Sequence, residues 1–188
     1  SLGDPISVDI ETFGEDPSLI AISDGADRAI CLLLIGSGLS VSELAVIFRE
    51  LYKVLSTRRI IGQNIQFDTT RLERWGFKLP HLYFDTMLAH HLLWPELGGQ
   101  HKRSASKKQG LDDLAGKHGL DFIVSCYTDE PYYKHEGGFN GDWEKYWTYN
   151  CKDAACTYEA YLGLKDELDA YNQWDYFQEH VMGLIRPI

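Results

Sequence analysis

The chain has 188 residues, 44% hydrophobic and 24% charged, which is the composition of one globular domain with a substantial core. Its net charge of -10 argues against a protein that coats duplex nucleic acid, because backbone binding is mainly electrostatic; a nucleic-acid enzyme whose acidic site is filled by metal stays open. No apolar run is long enough to cross a membrane, no signal or lipidation sequence is visible, and cysteines 31, 126, 151 and 156 lack metal-finger or disulfide-framework spacing, so they read as reduced thiols of an intracellular, cytoplasmic protein (host cytoplasm for a viral one).

The first element carries the most information. Ile6, Val8 and Ile10 alternate with Ser7, Asp9 and Glu11, the period of a β-strand. Asp9 and Glu11 therefore project from one face, roughly 7 Å apart along the strand. Burying two adjacent carboxylates costs several kcal/mol unless they share a cation, and a hard divalent ion with oxygen ligands is the simplest one. A solvated acidic edge strand is the plainer alternative. Phe13–Pro17 reads as a turn, Leu19–Ile22 as a second strand, Asp24-Gly25 as a hairpin signal and Ala29–Ile35 as a buried third strand, giving an antiparallel meander.

Ser40 or Ser42 caps a helix carrying Leu44, Ile47, Phe48, Leu51 and Leu55 at helical spacing. Arg59–Gly62 is a short strand, and Phe67, Leu72 and Trp75 mark a helix stopped by Gly76. Tyr83-Phe84 is a last short strand, followed by a helix from Asp85-Thr86 that Pro95 ends. Glu96–Gly110 reads as a loop with Lys102, Arg103, Lys107 and Lys108, suited either to tracking phosphates or to a solvated surface. Leu111–Ala115 is a short helix ending near Gly119, and Ile123–Gly141 has no clean period. Asp142 begins a helix to about Leu164, and a further helix runs from Asp166 to Met182. The order of elements is that of an α/β layer with a mixed sheet of about five strands. With no initiator Met and an apolar end at Ile188, the chain reads as one domain, residues 1–188, excised from a longer protein.

Three places carry candidate chemistry: Asp9 with Glu11, Asp68 early in a helix, and Tyr149 with Asp153 four residues apart on one helical face. Each has an ordinary reading, as a solvated acid, a favourable charge at a helix start, or a core-edge aromatic beside an exposed acid. In this order and within this α/β pattern they resemble the DEDDy 3'-5' exonucleases of the ribonuclease H-like fold. Val8-Asp9-Ile10-Glu11-Thr12 is similar to the first motif of that family, Asn64-Ile65-Gln66-Phe67-Asp68 to the second and Tyr149-Asn150-Cys151-Lys152-Asp153 to the third. Thr148 stands where the sister group has His, which supports the tyrosine subtype. Asp85–Ala89 and Leu111–Ala115 resemble segments of the proofreading domain of family A DNA polymerases, and Tyr158–Ile188 resembles the passage from it into the polymerase. Gln63 departs from the usual His, and Glu15 stands near a position that holds a wedging Leu in bacterial DNA polymerase I.

The resemblance implies a ribonuclease H-like mixed five-stranded sheet flanked by helices, with residues 166–188 a helix leading toward a polymerase domain of the same parent chain. It implies removal of nucleotides from the 3' end of single-stranded or frayed DNA by two Mg2+ or Mn2+ ions, one activating water and one stabilising the leaving oxygen. Asp9, Glu11, Asp68 and Asp153 would be the metal ligands and Tyr149 would orient the water. Thr12, Phe13, Asn64 and Phe139 would contact the substrate, the two aromatics by stacking on bases. The protein would act as a monomer without a membrane. A stand-alone nuclease acting on RNA and a non-catalytic module that binds DNA ends are the alternatives.

Overall fold

A computed structural model describes residues 2–99, 117–131 and 133–185. Five strands, β1 (Ile6–Phe13), β2 (Asp16–Gly25), β3 (Arg28–Leu33), β4 (Ile60–Gly62) and β5 (Leu82–Asp85), form one mixed sheet in the order β3-β2-β1-β4-β5. β1, β2 and β3 are an antiparallel meander, and β4 and β5 run parallel to β1. This is the α/β arrangement expected of the ribonuclease H-like exonuclease fold, with β1 at its centre.

The alternation in β1 sorts its two faces. Ile6, Val8 and Ile10 are buried in the main core with Leu51 and Leu55 of α1 (Val41–Thr57) and Leu72 of α2 (Ile65–Arg74). Ser7 and Asp9 look the other way, onto α5 (Trp143–Ala170): Ser7 Oγ donates to the Ala154 carbonyl at 2.6 Å. α5 packs across β1, β2 and β3, so one long helix backs the whole meander. Capping follows local chemistry. Ser40 accepts from the Glu43 N–H while Glu43 returns a bond to the Ser40 N–H, a capping box. Asp85 caps α3 (Thr86–Leu93) through the Leu88 N–H at 3.1 Å and also accepts the Ile65 N–H of α2 at 2.8 Å.

Several boundaries differ from the sequence reading. The expected turn Phe13–Pro17 shrinks to Gly14 and Glu15, because a bulge between Glu11 and Thr12 admits Pro17 into β2 opposite Thr12. β3 is not a buried strand over Ala29–Ile35: it is Arg28–Leu33 at the sheet edge, and Ile30 is 48% exposed. A helix absent from that reading, α4 (Leu120–Tyr127), starts just after Gly119, where the preceding helix was expected to end. The break expected after Leu164 does not occur; α5 continues to Ala170, where Asn172, with φ of 56°, closes a Schellman-type end through Gln173 N–H to Leu168 O at 2.7 Å. The helix expected from Asp166 onward is therefore the end of α5 followed by an irregular stretch: Trp174–Tyr176, a π-turn at Phe177–Val181 and a 3-10 turn at Met182–Leu184. That stretch folds back on β5, burying Phe177 and Met182 and placing the Trp174 ring 6.2 Å from Phe84. The basic loop at 102–108 and the expected helix Leu111–Ala115 lie outside the described residues. Among the described helices none is long and apolar enough to cross a membrane.

Candidate active site

The site forms where β1 meets α5 and α2. Asp9 and Glu11 leave β1 on the α5 side, and Asp153 comes from the third turn of that helix. One carboxylate oxygen from each lies within 4.8 Å of the others. Asn150, one turn before Asp153, donates from Nδ2 to Asp9 Oδ2 at 2.6 Å and fixes its rotamer. Asp68 stands outside this group of three but beside Asp9, whose carboxyl feels its charge. Its place is set by the sheet: β4 stops at Gly62, so the Ile10 N–H has lost its ladder and donates to Asp68 Oδ1 at 3.0 Å. α2 turns sharply off β4 to deliver Asp68. Gly62 leaves no room for a Cβ, which would lie 2.8 Å from Ile65 Cγ1, and Asn64 takes the left-handed conformation with φ of 52°.

Burial and crowding raise the carboxyls of Asp9 and Glu11. Burial, then the charges of Asp153, Asp68 and Glu11, hold the Asp9 carboxyl well above the usual carboxylate range. Burial and Asp153 push Glu11 up to about 7. Burial pushes Asp68 up to about 8, against the opposing hydrogen bond from Ile10. Carboxylates driven this way are relieved by a divalent ion, and Asp9, Glu11 and Asp153 supply the hard oxygen donors such an ion takes. The donor set therefore fits the Mg2+ or Mn2+ expected from the sequence.

Tyr149 is held on three sides. Its hydroxyl accepts from Lys134 Nζ at 3.1 Å, Tyr133 packs edge-on at 5.7 Å, and Gly137 lies so close that a Cβ would be 2.9 Å from Tyr149 Cζ. Burial and the nearby Asp153 push its phenol up to about 12, so it stays a neutral hydrogen-bonding group at ordinary pH. Lys134 also donates to Asp153 Oδ1 at 2.5 Å, and the Tyr133 hydroxyl donates to the same oxygen at 2.7 Å. Burial alone would lower the Lys134 ammonium, but Asp153 and Tyr149 hold it above its usual value.

Phe13 and Phe139 come together at the rim, ring centroids 5.5 Å apart and 38% and 41% exposed. Trp143 and Tyr146 complete the patch, and Tyr146 stacks on Phe13 at 5.9 Å while its hydroxyl bonds Ser18 at 3.1 Å and reaches Glu11. Thr12 sits at the bulge between Glu11 and this patch. Asn64 is placed by its backbone at the start of α2, and its side chain makes no capping bond. Of the two departures, Gln63 bonds Thr86 Oγ1 and the His118 carbonyl and so belongs to the scaffold. Glu15 is held by Arg74 at 2.9 Å and Arg71 at 3.6 Å.

Sequence reasoning missed Lys134, Tyr133, Tyr146, Asn150 and Gly137. Helical spacing had a signal for two of them: Tyr146 and Asn150 lie one turn before Tyr149 and Asp153 on the inner face of α5. The loop residues had none, because their positions depend on contacts with α5 and not on any period.

Comparison with known proteins agrees with this geometry. The sequence model of a family described as 3'-5' exonuclease matches residues 2–169. No curated protein matches the chain. Among solved structures, the POL domain of Pol1 from M. smegmatis, in complex with DNA primer-template and dNTP, superposes with a TM-score of 0.59 at 15% identity. The match covers 92% of this chain and 25% of that one, so the chain spans about a quarter of the length of that polymerase and the likeness is one of fold. The chain belongs to the 3'-5' exonuclease family of the family A DNA polymerases.

Proposed function

We propose that this chain is a metal-dependent 3'-5' exodeoxyribonuclease that removes nucleotides from single-stranded or frayed DNA, as the proofreading unit of a family A polymerase of which residues 1–188 are one domain. The observation that carries this reading is the convergence of Asp9, Glu11 and Asp153 within 4.8 Å, flanked by Asp68 and by the half-buried Tyr149. Asp9, Glu11 and Asp153 would hold one divalent ion and Asp9 with Asp68 a second. Bound there, such ions acidify water and stabilise the charge that develops on phosphorus and on the leaving 3'-oxygen.

The chain's own groups do the rest. Asn150 keeps Asp9 turned toward the ions, and Asp68 is steadied by the Ile10 N–H. The Tyr149 hydroxyl and Glu11 orient the attacking water for in-line approach to the terminal phosphodiester. Phe13 and Phe139 receive the last bases by stacking, which every base permits and which explains sequence tolerance. Duplex ends must fray to enter, because only an unpaired strand lets bases reach that patch. Thr12 and Asn64 flank the terminal nucleotide.

The test is a time course on 5'-labelled single-stranded DNA with Mg2+, with Mn2+ and with EDTA, beside Asp153→Ala and a matched RNA oligomer. A ladder shortening from the 3' end, absent with EDTA and in the variant, is the expected result. A folded, metal-loaded protein that leaves the DNA intact would sink the reading, and a strong preference for RNA would change its substrate.

A further inference from the structure

Among the described residues, the cation that reaches into the carboxylate cluster at Asp153 is Lys134. Its Nζ lies 2.5 Å from Asp153 Oδ1 and 3.1 Å from Tyr149 Oη, with the side chain only 14% exposed. The rings of Tyr149 and Tyr133 stand 4.9 Å and 5.4 Å from the same nitrogen. Confining a long lysine side chain costs rotamer entropy, and burying its ammonium costs more unless it is paired. The backbone is pinned as well: Lys134 opens the short 3-10 turn Lys134–Glu136, and Gly137 just beyond it is pressed against the Tyr149 ring. Lys134 is therefore built into the site.

A divalent ion drawn to Asp9, Glu11 and Asp153 brings a like charge within a few ångströms of this ammonium. The two cations compete for Asp153, whose Oδ1 already takes both Lys134 and Tyr133. Tyr149 stays within reach of Nζ, and the next anion to arrive is the phosphodiester of the substrate. Building on the exonuclease reading, we propose that Lys134 is a further catalytic residue with two successive partners: Asp153 while the site lacks metal, and a non-bridging oxygen of the scissile phosphate once a divalent ion has taken Asp153. In the second arrangement the ammonium donates to phosphate and offsets charge that grows in the transition state. It keeps its bond to Tyr149 Oη, which leaves the phenol proton and a lone pair for the attacking water. No covalent bond to Lys134 forms.

The experiment compares wild type, Lys134→Met and Lys134→Arg, first by Mn2+ titration without nucleic acid, followed by electron paramagnetic resonance. Removing the competing cation is expected to tighten Mn2+ binding by about tenfold in Lys134→Met, while the metal-free protein melts earlier. At saturating Mn2+, Lys134→Met is expected to show a raised KM for single-stranded DNA and a lower kcat, and Lys134→Arg to recover KM. Circular dichroism establishes that each variant is folded, and Lys134→Gln, which also removes the charge, carries the comparison if Lys134→Met is not. Mn2+ binding that is unchanged or weaker in Lys134→Met overturns the exchange. An unaltered KM and kcat overturns the phosphate contact. Wild type that binds Mn2+ but cleaves no DNA defeats the exonuclease reading and the phosphate contact with it, whereas the Mn2+ comparison still reads the exchange without substrate.

Discussion

Without metal, the site should make the protein less stable as pH rises through neutrality. A carboxyl whose folded pKa lies above its unfolded value keeps a proton that the unfolded chain has already released. Its contribution is complete below the unfolded pKa and is lost as pH rises through the folded one. Glu11, pushed up to about 7, and Asp68, pushed up to about 8, titrate in this sense, and Asp9 adds to them. The window from about pH 6.5 to 8.0 is where they dominate. His90, lowered to about 4, and His118, also lowered, act in the opposite sense and mostly on the acid side of their ordinary value, offsetting under about 1 kcal/mol within the window. At 1.36 kcal/mol per pKa unit, Asp68 loses roughly 1.6 kcal/mol across that window and Glu11 about half as much, less after screening by solvent, for a total of about 2 kcal/mol. For a chain of this size that is a fall in Tm of roughly 4–8 °C. The assay is thermal melting followed by circular dichroism in EDTA, repeated with saturating Mg2+ and with the double variant Glu11→Gln, Asp68→Asn. The fall should disappear in both, since an ion favours the charged carboxylates and the amides cannot titrate. A Tm that stays level or rises across the window in EDTA, or a fall that persists in the double variant, refutes the reasoning.

The remaining expectations concern the machinery. Asp9→Asn should abolish cleavage yet stabilise the metal-free protein, because a carboxyl crowded by Asp153, Asp68 and Glu11 is replaced by a neutral amide while Asn150 keeps an acceptor; activity and melting measured together check this. Asp153→Ala should abolish cleavage and destabilise, by about 3 kcal/mol or more, because it strips Lys134 and Tyr133 of their shared partner; chemical denaturation gives the number. Tyr149→Phe should slow hydrolysis roughly 10- to 1000-fold with the metal affinity unchanged, and an unaltered rate removes the hydroxyl from the mechanism. Gly137→Ala should cost about 1–3 kcal/mol by overpacking against Tyr149 and should lower kcat without removing any polar group. Phe13→Ala and Phe139→Ala should each weaken binding of single-stranded DNA by about 1–3 kcal/mol, read by fluorescence anisotropy.

What the sequence disclosed follows from which forces are local. The period of β1 and the four-residue step from Tyr149 to Asp153 are properties of a strand and a helix alone, so they named the carboxylates and the faces they leave from. The Ser40 cap and the start of α3 at Asp85 were readable for the same reason. The strand through Pro17 was not, since a proline in a strand depends on a bulge in its neighbour. The apolar run of β3 suggested burial, but strand order puts it at an edge. α5 runs past Leu164 because no breaker precedes Asn172, and its low amphipathic contrast comes from packing on several sides. The residues around the carboxylates were legible in part: Asn150 and Tyr146 through helical spacing, Lys134 and Gly137 not at all, because an irregular loop is shaped only by what it lies against.

Asp9 on the first strand and Asp153 on the last long helix stand 144 positions apart, from 9 to 153, and Ser7 is tied to Ala154 beside them. A site drawn from both ends of the chain does not exist in any partly folded form in which α5 is undocked. Closing so long a loop is entropically slow to achieve, so the docking of α5 is a natural late event in folding, and metal affinity would appear only with it. An ion held there would act as a clasp on the whole domain. Its binding energy would add to global stability in proportion to the logarithm of its concentration, and chelation would loosen the entire chain and not merely the active site. An exonuclease assembled this way holds no competent nuclease centre until its fold is complete.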